Sequence, residues 1–179
     1  QLCELAAQLG SDVPFFIWQA PFAIGLGRGE RCEPLTGMLP TLWHVLVVPA
    51  ARLSTKDVYA GAEFDPSTDA QGRILSNVEG FNLTAPKPSI RMVAHALRNG
   101  SRGELAKGLS NDLEPEAIRR CPVIATIQTR LRDSGCVGVG VSGSGPSAFG
   151  LCQDAHHAQR AAHQLRDGGS PDWWVGVVK

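Results

Sequence analysis

The chain has 179 residues, its 17 Lys and Arg balance 17 Asp and Glu, and 43% of it is hydrophobic against 19% charged. That length holds one large domain or a domain with part of another, and the composition is that of a folded chain, not a disordered one. Zero net charge leaves no basic footprint for a nucleic acid backbone, and the apolar stretch Val45 to Ala51 falls far short of the about 20 residues a membrane helix needs.

The opening shows no basic segment followed by an apolar one and a small-residue cleavage site, which sets the expectation of a cytoplasmic protein. The five cysteines, Cys3, Cys32, Cys121, Cys136 and Cys152, are scattered without a C-x-x-C pair. They read as small buried hydrophobes in a reducing compartment. Asn82-Leu83-Thr84 matches a glycosylation sequon, which without secretion has no use. The first residue is Gln1, and Leu2, Leu5, Ala6 and Leu9 already follow helical spacing. The chain is therefore expected to begin inside a helix, as a piece of a longer protein would.

That helix is predicted to stop at Gly10, a residue suited to the left-handed conformation after a helix end. Ser11 or Asp12 can cap a short turn that accepts Pro14 near its start. Pro21 to Leu35, carrying Gly25, Gly27 and Gly29, reads as strand and turn, and Gly37 to Pro40 as a link. Leu42 to Pro49 is a dense, valine-rich run and a buried strand. Ser54 and Thr55 open a short helix through Tyr59. Residues 61–88 carry Gly, Pro, Ser, Asp and Asn without periodicity, the pattern of a long surface loop. A helix is predicted from Ser89, with Ile90, Val93, Ala94 and Leu97 on one face and Gly100 at its end. Asn111-Asp112-Leu113-Glu114 resembles a capping box, and the helix it opens either runs through Ile118 or breaks at Pro122 and restarts as far as Arg132. Cys136 to Val141 and Ser147 to Cys152 are short strands, Ala155 to Arg166 an alanine-rich helix, and Trp173 to Val178 a last strand. This order suits an α+β fold, an antiparallel sheet with helices on one face.

Two segments can carry chemistry. Gly138 to Gly143 formally matches G-x-G-x-x-G, but a strand follows it where a dinucleotide fold needs a helix. No G-x-x-x-x-G-K-[ST] loop occurs. What remains is Ser142-Gly143-Ser144-Gly145 between two strands, either a hairpin turn or a nest of backbone N–H groups for a phosphate. The second segment is Leu9 to Phe16, where Asp12 lies beside Pro14, Phe15 and Phe16. A partly desolvated, rigidly held acid there suits proton acceptance from a hydroxyl; the alternative is a helix N-cap. His156 and His157 form no metal-ligand pattern, and Arg28, Arg31, Arg119 and Arg120 read as solvated surface charges.

Taken together, Leu9 to Phe16, the Gly27-Arg28-Gly29-Glu30 turn, Asn111 to Glu114 with Pro115, and Ser142 to Gly145 resemble the 4-diphosphocytidyl-2-C-methyl-D-erythritol kinase family. That family lies within the galactokinase, homoserine, mevalonate and phosphomevalonate (GHMP) kinase superfamily. The LGSDVPFF and NDLEP strings are specific to it in combination; SGSGPS fits the whole superfamily. The resemblance spans nearly the whole chain but corresponds to the C-terminal part of such a kinase. It implies that residues 1–41 complete an N-terminal kinase domain and that 42–179 form a ferredoxin-like C-terminal domain. It further implies ATP, with Mg2+, as phosphoryl donor and a cytidine diphosphate-linked methylerythritol as acceptor, in non-mevalonate isoprenoid biosynthesis. No nucleic acid or membrane partner is expected. Asp12 would act on the substrate hydroxyl, Thr55 would lie near the substrate, and Tyr59 would stack on the cytosine ring, a role that needs a flat aromatic. Ser142, Gly143, Ser144 and Gly145 would shape the phosphate site. The superfamily's glycine-rich nucleotide loop and the lysine paired with the aspartate find no counterpart from Gln1 onward, so the piece alone is expected to be inactive. The segment from Tyr59 to Ser89 is longer than in compact members of the family. A sister kinase for homoserine or mevalonate, or a non-catalytic binding module, would share the fold.

Overall fold

In the computed structural model the described residues are 2–26, 31–62 and 90–179. The Gly27 to Glu30 turn, the expected loop from residue 63 on, the sequon and Ser89 lie outside them. The described residues divide into two units, 2–26 with 31–38 and 39–62 with 90–179.

In the first unit, helices α1 (Leu2–Leu9) and α2 (Val13–Ile17) precede an antiparallel hairpin of β1 (Ala23–Leu26) and β2 (Arg31–Pro34). Gly10 follows the end of α1 as expected, though not in the left-handed conformation, and Pro14 sits in the first turn of α2, where a missing N–H costs no hydrogen bond.

The second unit is built on four antiparallel strands: β3 (Trp43–Pro49), β4 (Gly138–Val141), β5 (Ala148–Cys152) and β6 (Trp173–Val178), in the spatial order β4-β5-β3-β6. Between β3 and β4 come α3 (Thr55–Gly61), α4 (Ile90–Arg98), α5 (Arg102–Lys107), α6 (Glu114–Arg120) and α7 (Val123–Asp133), and α8 (Ala155–Gly168) joins β5 to β6. This is the split βαββαβ arrangement of ferredoxin-like folds. The strand alternation is the reason for the layering. Val45 and Val47 of β3 are fully buried and pack with Ile127 and Leu131 of α7 and with Ala158, Ala161, Ala162 and Leu165 of α8. Alanines along α8 let that helix lie close to the sheet. On β5, Gly150 does the same for α7. A Cβ there would overlap Cys136 Sγ and come within 3.0 Å of Leu131 Cδ2.

A second buried cluster positions the candidate site. Val58 of α3 meets Leu113, Ala117 and Cys121 at α6, Ile124 of α7 and Val141 of β4. One apolar residue thus seats α3 beside the end of β4. Proline decides the break between α6 and α7: α6 ends at Arg120 and α7 starts at Val123, with Pro122 between them. The sequence left α5 unassigned, because six residues with Gly103 among them show no period. Its signal was Ser101, whose hydroxyl accepts the Glu104 N–H at 3.4 Å. Of the cysteines, Cys121 and Cys152 are buried, while Cys3, Cys32 and Cys136 are half-buried. No helix among the described residues is long and apolar enough to cross a membrane.

Candidate functional site

The turn between β4 and β5 is the centre of the site in the second unit. It is closed by the Ser142 N–H donating to Ser147 O at 2.9 Å and the Gly145 N–H donating to Ser142 O at 3.0 Å. Gly143 and Gly145 have φ of +57° and +80°, the left-handed region that a side chain opposes. The segment is therefore a hairpin turn in its topology, with a backbone conformation that glycine alone adopts cheaply.

Side chains from two other elements hold this turn. Thr55, the first residue of α3, places Oγ1 2.9 Å from Ser144 Oγ. Asn111 donates from Nδ2 to Val141 O at 3.0 Å and to Gly143 O at 2.7 Å. Its own Oδ1 accepts the Leu113 N–H at 3.0 Å, and Glu114 Oε2 accepts the Val141 N–H at 3.2 Å. The capping-box expectation is corrected here. The N-cap position of α6 is Leu113, with no side-chain cap, and Asn111 and Glu114 instead satisfy the outer edge of β4 and the turn. Sequence reading missed this because an Asn-x-x-Glu pair before a helix has a local explanation, and the strand it serves lies almost thirty residues on.

On α3, Ser54 caps the helix by accepting the Asp57 N–H at 3.3 Å. With Val58 buried, Thr55 and Tyr59, one helical turn apart, are both exposed. Beneath the helix end, Glu116 is 7% exposed and accepts hydrogen bonds from Arg119 Nε and Nη2 at 2.6 and 2.7 Å and from Arg120 Nε at 2.6 Å. Arg119 first, and Arg120 with it, hold the Glu116 carboxyl at about 2, against burial, which pushes it up. These two arginines are thus not simply solvated charges; the E-x-x-R-R spacing was their signal. Gly61 leaves room for this cluster, since a Cβ there would overlap Glu116 Oε1. A cavity of about 350 Å³ borders Asn111, Glu114, Val139 and Phe149. None of its lining belongs to residues 142–145, but Asn111, Glu114 and Val141, at the foot of the turn, border it.

In the first unit, Asp12 occupies the N-cap position of α2, yet its side chain makes no capping bond. Its Oδ1 accepts the Ser11 hydroxyl at 3.3 Å. The residue is exposed, not partly desolvated as expected; Phe15 is half-buried and Phe16 71% exposed, so the aromatic pair does not cover it. The carboxylate is therefore not committed to holding the helix.

The fold is an α+β sheet whose edge hairpin carries a braced glycine turn, and comparison with known proteins shows which chains resemble it. Residues 93–170 match the family model described as GHMP kinases C terminal. A curated relative from Pelotomaculum thermopropionicum, named 4-diphosphocytidyl-2-C-methyl-D-erythritol kinase, is 36% identical over 165 residues, 92% of this chain and 51% of the relative. A solved structure of 4-(cytidine 5'-diphospho)-2C-methyl-D-erythritol kinase superposes with a TM-score of 0.71 at 33% identity, over 99% of this chain and 56% of that one. The homoserine kinase of Cytophaga hutchinsonii shares the fold, with a TM-score of 0.61 at 18% identity over 83% of this chain and 44% of that one. The chain spans about half the length of the curated relatives it matches.

Proposed function

We propose that this chain is the acceptor-side and C-terminal part of a kinase that transfers the γ-phosphoryl of ATP to the 2-hydroxyl of 4-diphosphocytidyl-2-C-methyl-D-erythritol, a step of non-mevalonate isoprenoid biosynthesis. The observation that carries the proposal is the glycine turn at 142–145, tied through Ser144 to Thr55 at the head of the helix that presents Tyr59. Identity of about one third to relatives of that name supports the choice of substrate.

Phosphoryl transfer asks the protein chiefly for position and charge stabilisation. Left-handed glycines such as 143 and 145 let successive backbone N–H groups turn toward an anion, so ATP would meet this chain at Ser142, Gly143, Ser144 and Gly145. Mg2+ would enter as the companion of ATP. Asp12, free of a capping duty, would align the tertiary hydroxyl and accept its proton. Thr55 would border the substrate, and Tyr59 would stack on the cytosine without needing a basic surface. Residues 1–41 would complete the N-terminal kinase domain and 42–179 the C-terminal one. Activity belongs to the longer protein, and the 179 residues alone are expected not to turn over.

The test is steady-state kinetics of the full-length protein with ATP and the cytidine-bearing alcohol, with homoserine and mevalonate as competing acceptors. Asp12→Asn is expected to lower kcat by about 10²–10⁴, the usual worth of a positioned base. Tyr59→Ala is expected to raise KM for the cytidine substrate and leave that for ATP little changed. Near-normal turnover of Asp12→Asn, or preference for another acceptor, would sink the proposal.

A further inference from the structure

Val141 is the last residue of β4, the outermost strand of the sheet among the described residues. Its outward N–H and C=O are satisfied not by another strand but by Glu114 Oε2 and Asn111 Nδ2. The residue types are dictated by this task. An N–H needs an acceptor, which a carboxylate supplies. Two carbonyls need donors, which a carboxamide supplies while its own oxygen accepts the Leu113 N–H. Asp at position 111 would turn two donated bonds into repulsions and still keep the bond to Leu113.

The bond to Gly143 O has a geometric consequence. In a planar trans peptide the C=O and the following N–H point in opposite directions. With Gly143 O drawn to Asn111, the Ser144 N–H is turned to the other side of the turn. Thr55 holds the Ser144 hydroxyl from the α3 side. The carbonyl of the peptide between the left-handed Gly143 and Ser144 is thus held by Asn111, and the Ser144 side chain by Thr55.

We propose that Asn111 and Glu114 are positioning residues for phosphoryl transfer: Asn111 aims the Gly143–Ser144 peptide so that the Ser144 N–H faces the phosphate, and Glu114 anchors Val141 at the foot of the turn. This role rests on the phosphate-site reading of residues 142–145. Neither side chain touches the reacting atoms; each acts through the backbone of the turn. The two are a donor and an acceptor three residues apart because the edge they serve exposes one carbonyl pair and one amide.

The experiment uses the full-length protein with Asn111→Asp, Glu114→Ala and Glu114→Gln, following kinetics together with amide hydrogen exchange of residues 141–145. A misplacement of about 1 Å costs up to about 10²-fold in rate, and Asn111→Asp is expected to lose kcat on that scale while KM for the cytidine substrate moves less than threefold. Exchange at the turn is expected to accelerate in Asn111→Asp and Glu114→Ala. Glu114→Gln keeps an acceptor oxygen and is expected to restore both readouts, which a loss through misfolding would not allow. An active parent whose kcat is unmoved by Asn111→Asp, or whose turn exchange is unmoved, overturns the positioning role alone. A parent without kinase activity overturns the phosphate-site reading and this role with it.

Discussion

Gly143→Ala and Gly145→Ala form a matched pair, because both glycines have φ in the left-handed region, +57° and +80°. A side chain in that region costs roughly 1–2 kcal/mol at either position. What differs is the space. Around Gly143 an added Cβ meets nothing within 4 Å, whereas at Gly145 it meets Ile124 Cδ1 at 3.3 Å and both Leu53 Cδ2 and Val141 Cγ1 at 3.4 Å. Ile124 is fully buried in the cluster with Val58 and Val141, so to admit the methyl group it must shift by a few tenths of an ångström within a packed core. Taking overpacking at its lower end, about 1 kcal/mol, Gly145→Ala is expected to cost roughly 2–3 kcal/mol and Gly143→Ala roughly 1–2. Urea denaturation resolves that gap, which is about a fivefold difference in the folding equilibrium. Ile124→Val removes the nearest atom. Alone it costs about 0.5–1.5 kcal/mol, but combined with Gly145→Ala it is expected to cost less, giving a sub-additive pair. Equal losses for the two glycine variants, or strict additivity of the double variant, would refute the idea that the turn rests on this apolar floor.

Two further outcomes follow from contacts outside the turn. Glu116 holds its proton less readily when folded, at about 2 against an ordinary 4.5. Its stabilising contribution is complete above pH 4.5 and lost as the pH falls toward 2. Thermal denaturation at pH 7, 5 and 3 is therefore expected to show a shallower acid decline for Glu116→Gln than for the parent; parallel declines would refute the assignment. Gly150→Ala crowds Cys136 and Leu131 and is expected to cost roughly 1–3 kcal/mol from overpacking, partly offset by about 0.5–1 from the stiffer backbone. Because Cys136 Sγ is the nearest obstacle, the cost is expected to shrink in a Cys136→Ala background. An unchanged cost in urea titrations would show that Cys136 is not what excludes the methyl group.

What the sequence made legible follows the range of the interaction that decides it. Valines alternating along β3, the alanines of α8, and Ser54 before α3 are local signals, and each corresponds to an observed element. So does Pro122, although periodicity alone could not choose between a helix that runs through Ile118 and one that breaks at Pro122 and restarts. The order strand, helices, strand, strand, helix, strand was enough for the α+β class, because short connections restrict how such elements pair. The site was legible as chemistry but not as wiring. Ser142 to Gly145 announced a turn, yet nothing near it in sequence named Asn111, Glu114 or Thr55 as its supports. Asp12 illustrates the opposite error: neighbouring phenylalanines suggested desolvation, but Phe16 points its ring into solvent. Apolar neighbours in sequence bury a carboxylate only when the backbone folds them over it.

The same wiring resolves a tension in the turn itself. Glycine is required at 143 and 145 because the backbone there enters left-handed space, but glycine also loses the most conformational freedom on ordering. In the proposed phosphate site, a loose glycine turn would have to order itself around each arriving anion, and that cost would subtract from the stabilisation of transferring charge. Donors help most when they are already aimed before the charge develops. Asn111, Glu114 and Thr55 supply that order from elements packed on the Val58–Ile124 cluster. The hydrophobic floor, the polar braces and the two glycines are therefore one device: the glycines allow the shape, and the residues around them keep it.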